Sequence, residues 1–336
     1  MINIADLRDA ILSQLKPELK IAIMSHVNPD GDGFCASLAL QRLIARLGFE
    51  SMIVIDEGNL DRFSFLMKDC SIEKYRQSMV FDLLFVLDCN SRNRLGERYS
   101  LVKAANTTVL IDHHEQEDGT IPVEITFIDQ SYVSVGAILF DLFESDIRGL
   151  EDEDRIHIGN CLYATILNDT NNFTNANVNP SVFRIAGEIN SLGIAPHALY
   201  KDYFLNQSAY EMRYVGEVLS TIELHHKDRI LYMHSSIKML EHNDLDSEAV
   251  MNITRWVQGV KGLDVIVYFR EEETDHYKLS LRSLKLDVNK IAVSFGGGGH
   301  KNAAGCQVKG SLDEVKTLIK KILVSALNEY YANNCG

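Results

Sequence analysis

The segment Lys20–Leu47, KIAIMSHVNPDGDGFCASLALQRLIARL, decides how the first half of the chain folds. Its apolar run Lys20–Ser25 reads as a buried strand. Leu40, Leu43, Ile44 and Leu47 recur at the i, i+3, i+4, i+7 spacing of one helix face, so Phe34–Leu47 reads as a helix packed on a core. Between them, Asn28-Pro29-Asp30-Gly31 is a turn sequence. Strand, turn and helix in that order begin a parallel sheet, and further strands are expected at Met52–Ile55, Leu83–Leu87 and Thr108–Ile111. Another helix is expected from Glu151-Asp152-Glu153-Asp154, whose four acids suit the positive end of a helix dipole, to about Leu167.

From Pro180 to Leu224 the pattern is helical with no strong strand, and it ends at the polar cluster His225-His226-Lys227-Asp228. Strands then follow at Arg229–Met233, Leu263–Phe269 and Tyr277–Leu281, with a helix near Ala249–Val257. A closing helix is announced by Ser311 and Glu314 in capping-box spacing, followed by Val315, Leu318, Ile319, Ile322 and Leu323. The expected architecture is α/β: a parallel-sheet domain over 1–195, a helical linker over 196–228 and a smaller α/β domain over 229–336, with a cleft between the two domains.

The chain has 336 residues, 46% of them hydrophobic, and a formal charge of −14, from 33 basic and 47 acidic residues. This excludes disordered and fibrous classes, and no apolar run approaches the ~20 residues of a membrane span. The first 20 residues place Asp6, Arg8 and Asp9 among apolar residues at helical spacing, so no secretory signal is expected. Six scattered cysteines without a Cys-x-x-Cys pair read as reduced thiols in a cytoplasmic protein. Strong acidity argues against binding long duplex nucleic acid, which needs a basic face. A short anionic substrate stays compatible if cations offset the field.

Four segments carry Asp or His where apolar elements end: His26 to Asp32, Asp88, Asp112-His113-His114, and Asn168-Asp169-Thr170. Three follow strands and the fourth ends a helix. In an open parallel sheet such segments converge outside the carboxyl ends of the strands. Two carboxylates ~4 Å apart repel by about 4 kcal/mol at an effective dielectric of 20, so the cluster needs a cation. Oxygen and imidazole donors without thiolate suit Mn²⁺ first, with Mg²⁺, Co²⁺ or Fe²⁺ as alternatives.

These motifs resemble the DHH phosphoesterases, and within them the nanoRNase and pAp phosphatase group. His26-x-x-x-Asp30-x-Asp32, the strand ending Phe85-Val86-Leu87-Asp88, Asp112-His113-His114, and Asp169-Thr170 followed by Phe173 match the family pattern in order. The resemblance implies a catalytic domain joined to a DHH-associated, substrate-binding domain. It implies that His26, Asp30 and Asp88 hold one metal ion and that Asp32, Asp88, His113 and Asp169 hold a second, with Asp88 shared. It gives Asp112 an orienting role and sets His114 against the substrate phosphate. The family's first motif usually continues with Gly-Ser, where this chain has Cys35-Ala36.

Phe295-Gly296-Gly297-Gly298-Gly299-His300, followed by Ala303-Ala304-Gly305, lacks the Gly-Lys-Ser/Thr of a Walker loop and the spacing of a dinucleotide fingerprint. Consecutive glycines let backbone N–H groups approach an anion, and His300 adds a donor. The segment resembles the family's Gly-Gly-Gly-His signature, and Arg282-Ser283 resembles its phosphate-gripping pair. Family II pyrophosphatases lack that signature, so pyrophosphate is a poor substrate candidate. Expected substrates are 5′-phosphorylated oligoribonucleotides of a few residues and 3′-phosphoadenosine 5′-phosphate (pAp). Turnover of cyclic or linear dinucleotides is the enzymatic alternative, and a silent nucleotide-binding module the non-enzymatic one. A homodimer is left open.

Overall fold

The computed structural model describes residues 4–56, 60–116, 121–245 and 253–334. The chain forms two compact units, Met1–Asn206 and Gln207–Gly336.

The first unit is built on six parallel strands, β1 (Ile21–Met24), β2 (Ser51–Ile55), β3 (Ile72–Lys74), β4 (Leu83–Leu87), β5 (Thr107–Asp112) and β6 (Ile125–Ile128), in the order β3-β2-β1-β4-β5-β6. Both faces are covered, which explains why the strands read as continuous apolar runs. Ile21, Ile23, Leu83, Phe85, Leu87, Val109 and Ile111 face one core with α1 (Ile4–Gln14) and α2 (Gly31–Arg46). Ala22, Met24, Leu84, Val86 and Leu110 face the other, which also takes Leu95 of α3 (Arg92–Leu95) and Leu101 of α4 (Tyr99–Ala104). Strand order reverses between β1 and β4, the switch point where doubly wound sheets open a crevice.

α2 begins at Gly31, three residues before the apolar periodicity shows, because the Asp30 carboxylate caps it by accepting from the Asp32 and Gly33 amides. α5 (Val135–Arg148), capped by Ser134, and the strands β3 and β6 are elements the sequence reading did not contain. The edge strands have three and four residues, too few to show alternation. α6 (Asp152–Asp169) runs two residues beyond the expected Leu167 and so ends on Asp169. Two further helices, α7 (Pro180–Asn190) and α8 (Pro196–Phe204), complete the unit.

The second unit opens with α9 (Ala209–Leu219), which carries a full capping box between Ser208 and Glu211. The sequence reads as helical up to Leu224, but Glu223–His225 is a short strand, β7, paired antiparallel to β8 (Ile230–Ser235). The helix α10 (Ile237–His242) precedes β9 (Val265–Glu273) and β10 (His276–Ser283). After α11 (Val288–Val293) come β11 (Gly298–His300), β12 (Ala303–Lys309) and α12 (Leu312–Asn334). The six strands lie in the order β11-β12-β10-β9-β8-β7, with only β8 and β9 parallel. Of the helix expected near Ala249–Val257, residues 249–252 lie outside the described residues, and Ile253–Trp256 is a 3₁₀ turn. At α12 only half of the expected capping box forms: Glu314 accepts from both the Ser311 amide and its hydroxyl, which is thereby turned away from the helix amides.

Five described cysteines are free thiols, four of them buried, and Cys335 lies outside the described residues. Among the described residues no helix is long and apolar enough to cross a membrane.

Candidate metal centre

The carboxyl ends of β1, β4 and β5 and the last residue of α6 bring the expected cluster together. His26 follows β1, and its Nδ1 lies 2.8 Å from the Val27 carbonyl. That contact requires the proton on Nδ1 and leaves Nε2 as the free nitrogen. Nε2 lies 3.9 Å from Asp30 Oδ1 and 3.5 Å from Asp88 Oδ2. Asp88 leaves β4 with φ +57°, a left-handed residue that turns the chain sharply and sets its carboxylate under the site. Its other oxygen, Oδ1, is 3.5 Å from His113 Nε2 and 3.3 Å from His114 Nδ1. His113 Nε2 also lies 3.4 Å from Asp32 Oδ2 and 3.1 Å from Asp169 Oδ2.

Two donor sets result, His26 with Asp30 and Asp88, and Asp32 with His113 and Asp169; the atoms of each set lie within 4.8 Å of one another. The two oxygens of Asp88 face one set each. A third grouping joins Asp88, Asp112, His113 and His114. Within it, however, Asp112 Oδ1 is engaged by its own segment, accepting from the His113 and His114 amides and from His114 Nδ1 at 2.8 Å. Asp112 Oδ1 therefore holds the backbone of both histidines and the ring of His114, whose Nε2 makes no hydrogen bond among the described residues.

The donors fit a cation. His26 Nε2, both Asp88 oxygens and His113 Nε2 are buried and make no hydrogen bond. Buried polar atoms left without partners cost about 1–3 kcal/mol each, more when charged, unless something else satisfies them. Burial works against a charge on His26, but the Asp30 and Asp88 carboxylates outweigh it and raise its pKa to about 10. For His113 the same balance, with Asp169 and Asp88, gives about 11. Burial, reinforced by Asp169 and Asp88, pushes the Asp32 carboxyl well up, and burial also raises Asp169. The site thus concentrates negative charge that protons partly balance and divalent ions would balance better.

Asp32, wholly buried, is caged by α5: its Oδ2 accepts from the Val135 amide at 2.7 Å and its Oδ1 from Gly136 at 3.2 Å. Several supporting residues escape a reading based on charged residues. A Cβ at Gly31 would meet Tyr203 Oη at 2.0 Å, and one at Gly33 would meet Ser25 Cβ at 2.8 Å and Asp88 Oδ2 at 3.1 Å. Asn168 Oδ1 accepts from the Gly31 amide and from the Tyr203 hydroxyl, while its Nδ2 donates to Asp169. The glycines of the Asp30-Gly31-Asp32-Gly33 motif are therefore clearances as well as turn formers, and their alternation with the acids was the available signal. Cys35 and Ala36, where the family usually has Gly-Ser, are buried in α2 among core residues.

In the second unit the register aligns Arg282 of β10 with Ala303 of β12, and Ala303 with His300 of β11. The His300 side chain lies outside the described part of the structure. Arg282 Nη1 donates to its neighbour's carbonyl, Leu281 O, at 2.9 Å. The Ser283 hydroxyl joins the turn to the start of β9: it donates to the Asp264 carbonyl and accepts from the Lys285 and Leu286 amides. A Cβ at Gly297 would sit 2.2 Å from the Gly305 carbonyl, and one at Gly299 2.6 Å from the Ala303 carbonyl, so both glycines admit β12. Gly298 has open space around it.

Residues 20–166 match the DHH family, N-terminal domain, and residues 231–326 match the DHHA1 domain. The chain belongs to the DHH family. The DHH chain is 30% identical over 295 residues to a Thermus thermophilus protein named bifunctional oligoribonuclease and PAP phosphatase NrnA, covering 86% of this chain and 84% of that one. A protein of the same name from Mycoplasma genitalium is 25% identical over 317 residues, covering 93% and 96%. Among solved structures, an exopolyphosphatase-related protein from Bacteroides fragilis shares the fold, with a TM-score of 0.82 at 24% identity over 97% of this chain and 96% of that one. The triplet Asp112-His113-His114 of this DHH domain stands at the end of β5, on the same sheet edge as Asp88.

Proposed function

We propose that this chain is a metal-dependent phosphoesterase that hydrolyses short 5′-phosphorylated oligoribonucleotides and pAp. The observation that carries it is the pair of donor sets joined through the two oxygens of Asp88. The names of the relatives supply the substrate class. Two divalent ions, manganese first, would be held by His26, Asp30 and Asp88 and by Asp32, Asp88, His113 and Asp169, and would supply water activation and charge neutralisation at phosphorus.

The chain's own residues do the rest. Asp112 fixes the His114 ring by accepting from Nδ1 and, with Asp88 nearby, favours the charged imidazolium over the opposing effect of burial, so that an Nε2–H is available to donate to a phosphoryl oxygen. In the second unit, Arg282 offers a guanidinium fork, and the Gly298 amide and His300 offer donors to a nucleotide phosphate. Ser283 acts by holding the turn after Arg282, and Gly297 and Gly299 by letting β11 close on β12. A cytoplasmic location agrees with the free thiols.

The test is a substrate panel with Mn²⁺: pAp, 5′-phosphorylated di- to pentanucleotides, and cyclic di-AMP, each before and after chelation. Turnover of pAp and the short oligonucleotides is expected, abolished by chelator and reduced more than about 100-fold in Asp88→Asn, since even residues that only orient metal ligands cost 10–100-fold. Exclusive turnover of the cyclic compound, or activity indifferent to chelation, would overturn the assignment.

A further inference from the structure

The stretch Arg92–Lys103 departs from the chain in charge. It holds Arg92, Arg94, Arg98 and Lys103 against Glu97 alone, +3 in a protein of −14. Arg98 is buried, its Nη1 donating to the Val54 carbonyl and its Nη2 3.6 Å from Asp56. Arg92 and Lys103 are exposed, and neither meets a carboxylate among the described residues. Both lie over the ring of Tyr99, the Arg92 guanidinium carbon 4.8 Å and Lys103 Nζ 5.1 Å from its centroid. With Asn93, Gly96 and Ser100 they line an open surface groove of about 380 Å³; Glu97 also borders it, outnumbered by the two cations.

Two cations held beside an aromatic ring are partly ordered before any ligand arrives, which lowers the entropy cost of gripping an anion. The groove is also tied to the metal centre. Arg92 stands four residues after Asp88, a span of at most ~14 Å of chain. The Arg94 carbonyl accepts from the Val27 amide at 2.8 Å, next to His26. Gly96 packs on Val27 closely enough that a Cβ would lie 3.1 Å from its Cγ1.

We infer that Arg92, Tyr99 and Lys103 form a subsite for the phosphodiester backbone of an oligoribonucleotide, beyond the nucleotide whose phosphate is cut. The inference rests on the oligoribonuclease reading above and deepens it: the subsite would be reached by longer chains and left empty by pAp and a dinucleotide. Because the contact is to phosphate, it selects for length and not for base.

The experiment compares wild type with the Arg92→Ala/Lys103→Ala double variant on pAp, a 5′-phosphorylated dinucleotide and a 5′-phosphorylated pentanucleotide. The expected result is a KM for the pentanucleotide raised about five- to tenfold, as for two solvent-exposed charge contacts, with pAp and dinucleotide turnover unaffected. The salt dependence of pentanucleotide binding should lose about 0.7 in slope per contact removed, and Arg92→Lys/Lys103→Arg should retain both properties. Equal losses on all three substrates, or none, overturn the subsite. If wild type cleaves pAp but no oligonucleotide, the oligoribonuclease reading is what has failed. Fluorescence anisotropy of a labelled pentanucleotide then decides the subsite separately, and equal Kd values for wild type and double variant sink it.

Discussion

Replacing Gly136 with alanine tests the cage around Asp32. The added Cβ would lie 2.0 Å from Thr165 Oγ1, 2.6 Å from its Cγ2 and 2.8 Å from its Cβ. Thr165 cannot retreat: it is fully buried, donates to the Leu162 carbonyl at 2.7 Å and pairs with Ser134 Oγ at 3.0 Å. The first turn of α5 must therefore move by roughly 1 Å, carrying with it the Val135 and Gly136 amides that hold Asp32. Overpacking of this kind costs about 1–3 kcal/mol, and a weakened pair of carboxyl hydrogen bonds about 1 kcal/mol more. A destabilisation of about 2–4 kcal/mol lowers Tm by about 4–16 °C in a unit of this size. Calorimetry should show that fall, and isothermal titration with Mn²⁺ should show weaker binding. Thr165→Ala in the same background removes the two nearest atoms and should restore part of both. A Tm within about 1 °C of wild type, with unchanged Mn²⁺ affinity, would refute the packing argument.

Two predictions concern protons. His26 and His113, raised to about 10 and about 11, both carry a proton at neutral pH. A cation must displace those protons, so Mn²⁺ added to weakly buffered protein should acidify the solution, and its affinity should weaken as pH falls; binding without proton release would contradict this. His157 behaves oppositely, because burial, aided by Arg42, lowers its pKa to about 4. Between that value and about 6.5 the unfolded chain takes up a proton that the folded chain refuses, so stability is lost as pH falls through this window, by at most about 3 kcal/mol. His157→Gln should flatten that slope in urea titrations at pH 7 and pH 5, and an unchanged slope would remove His157 as its source.

The strands that carry the site were legible because each is buried on both faces and so reads as an unbroken apolar run, as in Leu83–Leu87. The edge strands Ile72–Lys74 and Glu223–His225 were not, since three residues beside polar neighbours carry no period. Asp30, Asp88 and His113 could be picked out from charge at strand ends. Asn168, Tyr203 and Gly136 could not, because their roles depend on contacts between segments more than 100 residues apart or on a clearance that shows only once helices pack. Ser283 carries a role the sequence did not show: its hydroxyl ties the Asp264 carbonyl to the Lys285 and Leu286 amides of the turn that follows.

The bend at Asp88, where φ is +57°, narrows what can replace that residue. In the left-handed region most side chains cost roughly 1–2 kcal/mol, while glycine, and to a lesser degree asparagine and aspartate, are tolerated. Alanine at 88 would thus confound two injuries, a lost charge and a reluctant backbone, whereas asparagine removes the charge and keeps the corner. The local alphabet at this position is close to three letters, glycine, asparagine and aspartate, and only the last carries a negative charge.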